Sequence, residues 1–193
     1  MNLNPIPLKG NWEEGWALDL NTICKDAKEN DLFIVNRTEI GEHLYQLKYF
    51  GDTREVEVIG DVAADFIRDN LSEFNLSAII PVPPSKLDRE FQPVYMMAQY
   101  IGKKLDIPVD FDYLEKTENT PQLVNLKDAD KRKEILKDVF KVKDNRYKDK
   151  SILLFDDIYS SGETLKAITS TLLSNNYAGS ICVLTITKTR INR

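Results

Sequence analysis

The sequence predicts an α/β fold in which a mostly parallel sheet is flanked by helices, with a small antiparallel hood at the N-terminus. From residue 60 onward, short apolar runs alternate with segments whose apolar residues recur at helical spacing. This alternation is typical of right-handed crossovers between parallel strands. Two unusual loops, at residues 81–85 and 156–162, follow apolar runs. They therefore fall at the carboxyl ends of strands, where such sheets bind ligands.

The N-terminal hood is predicted over residues 1–55, and the core over residues 56–193. Within the hood, residues 32–35 and 43–50 have the composition of strands, joined by a loop that contains Gly41. The segment is too short to hold a core of its own, so we expect it to pack over the site or to form a subunit contact. If the segment forms a subunit contact, the protein could be a homodimer. The aromatic residues of the hood that favour such packing are Trp12, Trp16, Tyr45, Tyr49 and Phe50.

The core is predicted from its apolar pattern. Buried strands are predicted at residues 77–82, 107–111, 151–155 and 180–187. Helices are predicted at residues 62–71, 94–105, 133–137 and 163–173. Residues 112–132 are polar and have no apolar period, which predicts a long loop.

Composition excludes several classes of function. A net charge of −5 over 193 residues argues against a large sequence-independent nucleic-acid surface. No apolar run approaches the roughly 20 residues that span a bilayer, and the first residues do not resemble a signal peptide. We therefore expect a cytoplasmic protein without a membrane partner. Cys24 and Cys182 lie far apart, and His43 adds at most one further ligand, so no structural zinc site is expected.

The most informative segment runs from residue 151 to residue 165. An apolar strand delivers Asp156 and Asp157, a short hydroxyl-rich turn follows, and a helix begins. Free N–H groups at a helix N-terminus suit a phosphate, and Gly162 permits close backbone approach. The two acids suit the hydroxyls of a sugar and the rim of a Mg²⁺ site. The order of these features predicts a ribose phosphate site, whereas an isolated Ser-Gly turn would be read as an ordinary helix cap.

This segment resembles the phosphoribosyl pyrophosphate (PRPP) loop of the type I phosphoribosyltransferases. The resemblance implies that the acids bind the ribose 2- and 3-hydroxyls and that the turn holds the 5-phosphate. In the purine-salvage enzymes the position of Ser160 is often an acid that serves the base, which weakens a hypoxanthine or guanine assignment. The residues implied in 5-phosphate binding are Ser160, Ser161, Gly162, Glu163 and Thr164.

A second resemblance, to the ComF family associated with bacterial DNA uptake, covers roughly residues 45–190. It rests on residues 79–84, which match the family's strand ending in Pro-Val-Pro, and on Arg89 and Phe91. It also rests on a Pro-Gln, Leu, Arg and Phe signature that begins at Pro121. The family's usual N-terminal zinc-binding cysteines are missing here, and Glu90, Gln92 and Pro93 replace residues of its Arg-Gly-Phe-Asn-Gln segment. The residues that the resemblance implies in pyrophosphate binding are Pro83, Pro84, Ser85, Lys86 and Arg89.

The same resemblance makes residues 117–134 a mobile loop that closes over the site. Lys131 and Arg132 are then candidate catalytic clamps on pyrophosphate, alongside Asp156 and Asp157; ordinary surface charge is the alternative for the two basic residues. The function predicted is a phosphoribosyltransferase that uses PRPP and Mg²⁺ and transfers the phosphoribosyl group to an unidentified nitrogen nucleophile. The alternative is a non-catalytic PRPP- or nucleotide-binding module that acts in DNA uptake through a competence-protein partner.

Overall fold

The protein is described from a computed structural model, over residues 1–25, 35–84, 91–117 and 139–190. Its centre is a five-stranded sheet with the order β1-β2-β9-β8-β5. The last four of these are mutually parallel, and β1 is antiparallel to β2 at the edge. The strands of this sheet are β1 (Ile6–Pro7), β2 (Glu14–Leu20), β5 (Ala78–Pro81), β8 (Tyr147–Tyr159) and β9 (Ala178–Lys188).

Two small antiparallel pairs complete the strands. One pair joins β3 (Thr22–Lys25) to β4 (Val35–Arg37), and the other joins β6 (Leu114–Lys116) to β7 (Phe140–Val142). The α/β class and the mostly parallel sheet were predicted from the sequence, and the structure confirms them. An antiparallel pair was predicted in the N-terminal segment, where β3 and β4 now form one; the β6–β7 pair was not predicted.

Helices cover both faces of the sheet. The helices are α1 (Glu39–Tyr45), a π-helix (Gln46–Phe50), α2 (Glu55–Asn70), a short 3₁₀ turn (Ser72–Phe74), α3 (Pro93–Leu105) and α4 (Glu163–Ser174). Alternation along β8 divides the core, because Leu153 and Phe155 pack with α1, α2 and α3, whereas Ile152 and Leu154 pack with α4 and the β6–β7 pair. No described helix combines the length and the apolar character needed to cross a bilayer.

The predicted strand at residues 43–50 is wrong, because this segment continues α1 into the π-helix. Ile40, Leu44 and Leu47 are spaced by four and three residues, and all three are fully buried. That spacing places them on one face of a helix. The aromatic residues of the segment suggested a strand, but the apolar period decided its structure.

Other element predictions differ in smaller ways. In place of a strand at residues 107–111 there is a single bridge between Ile79 and Val109. The predicted loop from residue 112 contains β6, while its part from residue 118 onward and the helix predicted at residues 133–137 lie outside the described residues. Of the strand predicted at residues 32–35, only Val35 is described, as the first residue of β4.

The N-terminal segment contributes directly to the central sheet. Strand β2 pairs in parallel with β9, from Glu14 opposite Cys182 to Leu20 opposite Lys188. Leu18 lies fully buried in the same cluster as α2 and α3. Strand β2 is thus part of the central sheet, and the division of the chain into an N-terminal hood and a core at residue 55 stays a prediction.

Removing residues 1–54 should abolish cooperative folding, although α2 remains whole. The deletion removes Leu18, Ile40, Leu44 and Leu47, all of them buried, and burying each such side chain contributes about 1.5–3 kcal/mol. Their sum is comparable to the roughly 5–15 kcal/mol that holds a domain together. Urea unfolding followed by circular dichroism measures the effect, with deletion of the exposed residues 1–2 as the control. A sigmoidal transition like that of the full chain would show that this segment is dispensable.

Candidate functional site

The candidate site lies where β8 ends and α4 begins. Residues 152–155 of β8 are fully buried between β5 and β9, and the strand extends past its predicted end at residue 155 to Tyr159. Asp156 and Asp157 therefore belong to the strand itself, with Asp156 opposite Thr185 of β9. A turn at residues 160–162 follows, and α4 starts at Glu163.

The two carboxylates point to opposite faces of the sheet, as side chains of successive strand residues do. Asp156 Oδ1 accepts a hydrogen bond from the backbone N–H of Asp157 at 2.8 Å. Asp157 lies on the face covered by α1 and the π-helix, where its Oδ2 is 2.6 Å from Nζ of Lys48. The acid pair can therefore offer oxygen acceptors in two directions.

The surroundings of Asp156 favour its neutral form. The pKa of this carboxyl is raised to about 8, chiefly by burial and then by the neighbouring Asp157 charge, while the hydrogen bond from the Asp157 N–H and the Lys48 ammonium act in the opposite direction. A carboxyl that keeps its proton near neutral pH can donate a hydrogen bond as well as accept one. Asp156 can thus act as a hydrogen-bond donor, which distinguishes it from an ionised carboxylate.

The raised pKa of Asp156 predicts a pH dependence of stability. Between about pH 4 and about pH 8 the folded chain holds a proton on Asp156 that the unfolded chain has released, so the free energy of unfolding should fall as pH rises through this window. Asp156→Asn cannot titrate and should lose less stability over the same window. Urea titrations of both proteins at pH 4 and pH 8 measure the difference. Equal losses in the two proteins would contradict the assignment.

The turn before α4 is shaped by Gly162. This residue is the N-cap of α4 with φ +77° and ψ 0°, a left-handed conformation that glycine adopts without strain. A Cβ at this position would lie 2.3 Å from the phenol oxygen of Tyr159, which is itself buried. Both the backbone angle and the close approach of Tyr159 therefore require glycine here.

The N-terminus of α4 presents a cradle of backbone donors. The first helical hydrogen bond runs from Lys166 N to Gly162 O at 2.9 Å, so the N–H groups of residues 163–165 precede it and have no partner within the helix. Ser160 and Ser161 are exposed in front of them, and Thr164 is half-buried. The Glu163 carboxylate lies 3.6 Å from Lys166 Nζ, which leaves Glu163 to contribute through its backbone. Such a cradle suits a phosphate or another small anion.

The neighbouring strand end brings a second part of the predicted site to the same edge. The backbone N–H of Val82 donates to Phe155 O at 2.8 Å, and buried Pro83 and half-buried Pro84 follow directly. The structure thus brings Pro83 and Pro84 to the edge at which Asp156 lies. The other predicted pyrophosphate-site residues fall outside the described residues: Ser85, Lys86, Arg89, Lys131 and Arg132.

Lys48 is a site residue that the sequence did not reveal. It was assigned to a strand of the hood, and no local motif marks it. Its position depends on the π-helix and on the contact between this helix and the end of β8. Tyr159 was missed in the same way, because its role follows from the left-handed turn at Gly162 rather than from its own type.

Comparison with known proteins finds no matching family model and no matching curated protein. Among solved structures, the chain is similar to an adenine phosphoribosyltransferase from Leishmania tarentolae, with 12% identity over 84% of this chain and 79% of that one and a TM-score of 0.45. A hypoxanthine phosphoribosyltransferase from Staphylococcus aureus matches with 15% identity over 73% and 69% and a TM-score of 0.42. A purine phosphoribosyltransferase from Pyrococcus horikoshii matches with 16% identity over 69% and 82% and a TM-score of 0.38. At these identities no residue role transfers, and the chemistry has to be derived from the side chains of this chain.

Proposed function

We propose that this chain is a phosphoribosyltransferase of the ComF-like type I kind, which binds PRPP and transfers its phosphoribosyl group to a nitrogen nucleophile. The observation that carries the proposal is the continuous arrangement of strand, acid pair, left-handed Gly162 and helix N-terminus over residues 152–165. An anion cradle directly beside hydroxyl acceptors matches a sugar that carries a phosphate. PRPP is such a ligand, and its pyrophosphate is a leaving group.

The 5-phosphate is assigned to the turn. Its oxygens would accept hydrogen bonds from the backbone N–H groups at the start of α4 and from the hydroxyls of Ser160, Ser161 and Thr164. The partial positive charge of the helix N-terminus adds to this attraction. The exposure of the two serines leaves the cradle open to a ligand from solution.

The ribose hydroxyls are assigned to the acid pair. Asp157 would accept a hydrogen bond from one ribose hydroxyl. Asp156, which keeps its proton, could donate a hydrogen bond to the other hydroxyl or accept one from it. In the transfer, the nitrogen of the acceptor forms a bond to the anomeric carbon while the bond from that carbon to pyrophosphate breaks. The acceptor's proton passes to solvent, and pyrophosphate leaves with the bonding electrons. A carboxylate beside the sugar stabilises the positive charge that develops on it.

The donor set fits Mg²⁺ that arrives with the substrate. In proteins this ion is usually held by one or two carboxylates together with substrate phosphates and water. The described residues contain no group of three or more His, Cys, Asp or Glu side chains placed to hold a metal, whereas Asp156 and Asp157 supply carboxyl oxygens at the strand end. One of these two carboxyl groups would hold the ion, because the two side chains leave the strand in opposite directions. When bound, it would neutralise charge on the departing pyrophosphate.

Pyrophosphate is assigned to the end of β5, at Pro83 and Pro84, with Ser85, Lys86 and Arg89 following in sequence. Lys131 and Arg132 are proposed to clamp it. A cytoplasmic location belongs to the same proposal, because PRPP is a charged metabolite that does not cross a bilayer unaided.

A second candidate is a binding module without catalysis, acting with a competence-protein partner. Glu90, Gln92 and Pro93 differ from the ComF family's Arg-Gly-Phe-Asn-Gln segment, and these differences favour the binding module. Pro93 is the first residue of α3, a position that proline suits, so a helix begins here at the last position of the ComF-type segment.

Release of pyrophosphate from PRPP in the presence of Mg²⁺, measured against a panel of nucleobases and amines, tests the proposed function. The transferase predicts release that depends on one acceptor. Tight PRPP binding without release from any acceptor favours the module, and absence of PRPP binding contradicts both.

A further inference from the structure

The π-helix that carries Lys48 is held firmly against the rest of the fold. The preceding helix α1 begins at Thr38, whose hydroxyl accepts from Gly41 N at 3.0 Å and donates to Leu20 O at 2.5 Å. This contact ties α1 to the end of β2. Further along, His43 Nδ1 lies 2.6 Å from a Glu55 carboxylate oxygen at the start of α2.

The π-helix itself is anchored on both sides of Lys48. Leu47 is fully buried, and the helix ends at Gly51 in the left-handed conformation, with φ +67°. A π-helix is rare, and it frequently marks a functional site. The packing of this helix therefore fixes the position of the Lys48 backbone.

The Lys48 side chain points into the candidate site. Its ammonium contacts Asp157 at 2.6 Å, and the exposed fractions of the two side chains are 23% and 15%. By contrast, Lys104 and Asp61 form a pair of the same length with exposed fractions of 33% and 49%. The Lys48–Asp157 pair is therefore the less exposed of the two.

This position addresses an electrostatic difficulty of the site. A ligand with several phosphate charges must approach the Asp157 carboxylate, and like charges at short range repel strongly where water is partly excluded. A cation beside Asp157 offsets that repulsion. An ammonium on a flexible four-carbon stem can also turn towards a phosphate oxygen while staying near its carboxylate.

We propose that Lys48, supplied by the N-terminal segment, is a ligand-binding residue of the sugar phosphate site: it neutralises Asp157 and contacts the anionic part of the incoming ligand. The inference rests on the proposed assignment of the acid pair and the turn to a sugar phosphate. The N-terminal segment would then contribute a ligand-binding residue to the site in addition to a strand of the sheet.

The test is isothermal calorimetry with two probes, ribose 5-phosphate and PRPP with Mg²⁺, on the full chain. Lys48→Met should weaken binding of both probes by about 10- to 100-fold, the range expected for loss of one charge-assisted contact. Lys48→Arg keeps the positive charge and should retain most of the affinity. Lys104→Met removes the comparable ion pair with Asp61, away from the site, and should leave both affinities unchanged.

The outcomes separate this inference from the proposed function. If the original chain binds ribose 5-phosphate but not PRPP, the transferase is contradicted, and Lys48 is still judged on ribose 5-phosphate. If Lys48→Met binds both probes as tightly as the original chain, or if Lys48→Arg loses as much affinity as Lys48→Met, the inference is overturned. If neither probe binds the original chain, both proposals fail. Unfolding by urea in each variant checks that the fold is kept.

Discussion

Gly162→Ala should abolish tight binding of PRPP, with a loss of about 100-fold or more. The added Cβ would lie 2.3 Å from the phenol oxygen of Tyr159, so either Tyr159 or the turn must move. That movement turns the first N–H groups of α4 away from the phosphate. Loss of two charge-assisted hydrogen bonds, each contributing about 1.5 kcal/mol or more, accounts for the size of the effect.

Gly51→Ala is the matched control for this substitution. Gly51 also has a left-handed backbone, with φ +67°, but nothing lies within 4 Å of the position that its Cβ would take. Each substitution places an L-residue in the left-handed region, which should lower the free energy of unfolding by about 1–2 kcal/mol. Gly162→Ala should lower it further, because its Cβ also displaces Tyr159 or the turn. Only Gly162→Ala should lose the ligand. Calorimetry that shows unchanged PRPP affinity in Gly162→Ala would remove the turn from the site.

Asp157→Asn should lower the turnover of PRPP on the order of 100-fold, the scale typical of removing one electrostatic stabiliser of a transition state. The substitution keeps size and removes charge. A carboxylate beside a developing sugar cation stabilises the transition state more than the bound substrate, so the Kd for PRPP should change far less than the turnover. Pyrophosphate release under single-turnover conditions, together with calorimetry, separates the two quantities.

The control for Asp157→Asn is Asp65→Asn, at a surface ion pair with Arg68 in which both side chains are more than half exposed. This variant should behave as the original chain in both assays. A loss in Asp157→Asn confined to affinity would favour the binding module over the transferase. Unchanged turnover and affinity would leave the acid pair without a role in either function.

The parts of the fold that the sequence predicted are those with a local signal. The apolar run that forms β8 and the helical period of α4 both lie within one short segment, as do the acids, the hydroxyls and Gly162 between them. A site built from consecutive residues can be recognised because the backbone alone brings its groups together.

The parts that the sequence did not predict depend on contacts between distant residues. The parallel pairing of β2 with β9 joins the two ends of the chain, and no local pattern specifies such a partner. The segment around Tyr45 and Tyr49 has aromatic residues typical of strands, and it became helical because Leu44 and Leu47 bury one helical face in the core. The contact of Lys48 with Asp157 follows from both of these tertiary features.

The most direct test of the central claim is a crystal structure of the chain with PRPP and Mg²⁺. The account predicts the 5-phosphate on the backbone N–H groups that open α4, beside Ser160, Ser161 and Thr164, with a ribose hydroxyl within hydrogen-bond distance of the Asp157 carboxylate. A ligand bound at another edge of the sheet, with no phosphate oxygen against residues 160–164, would contradict it.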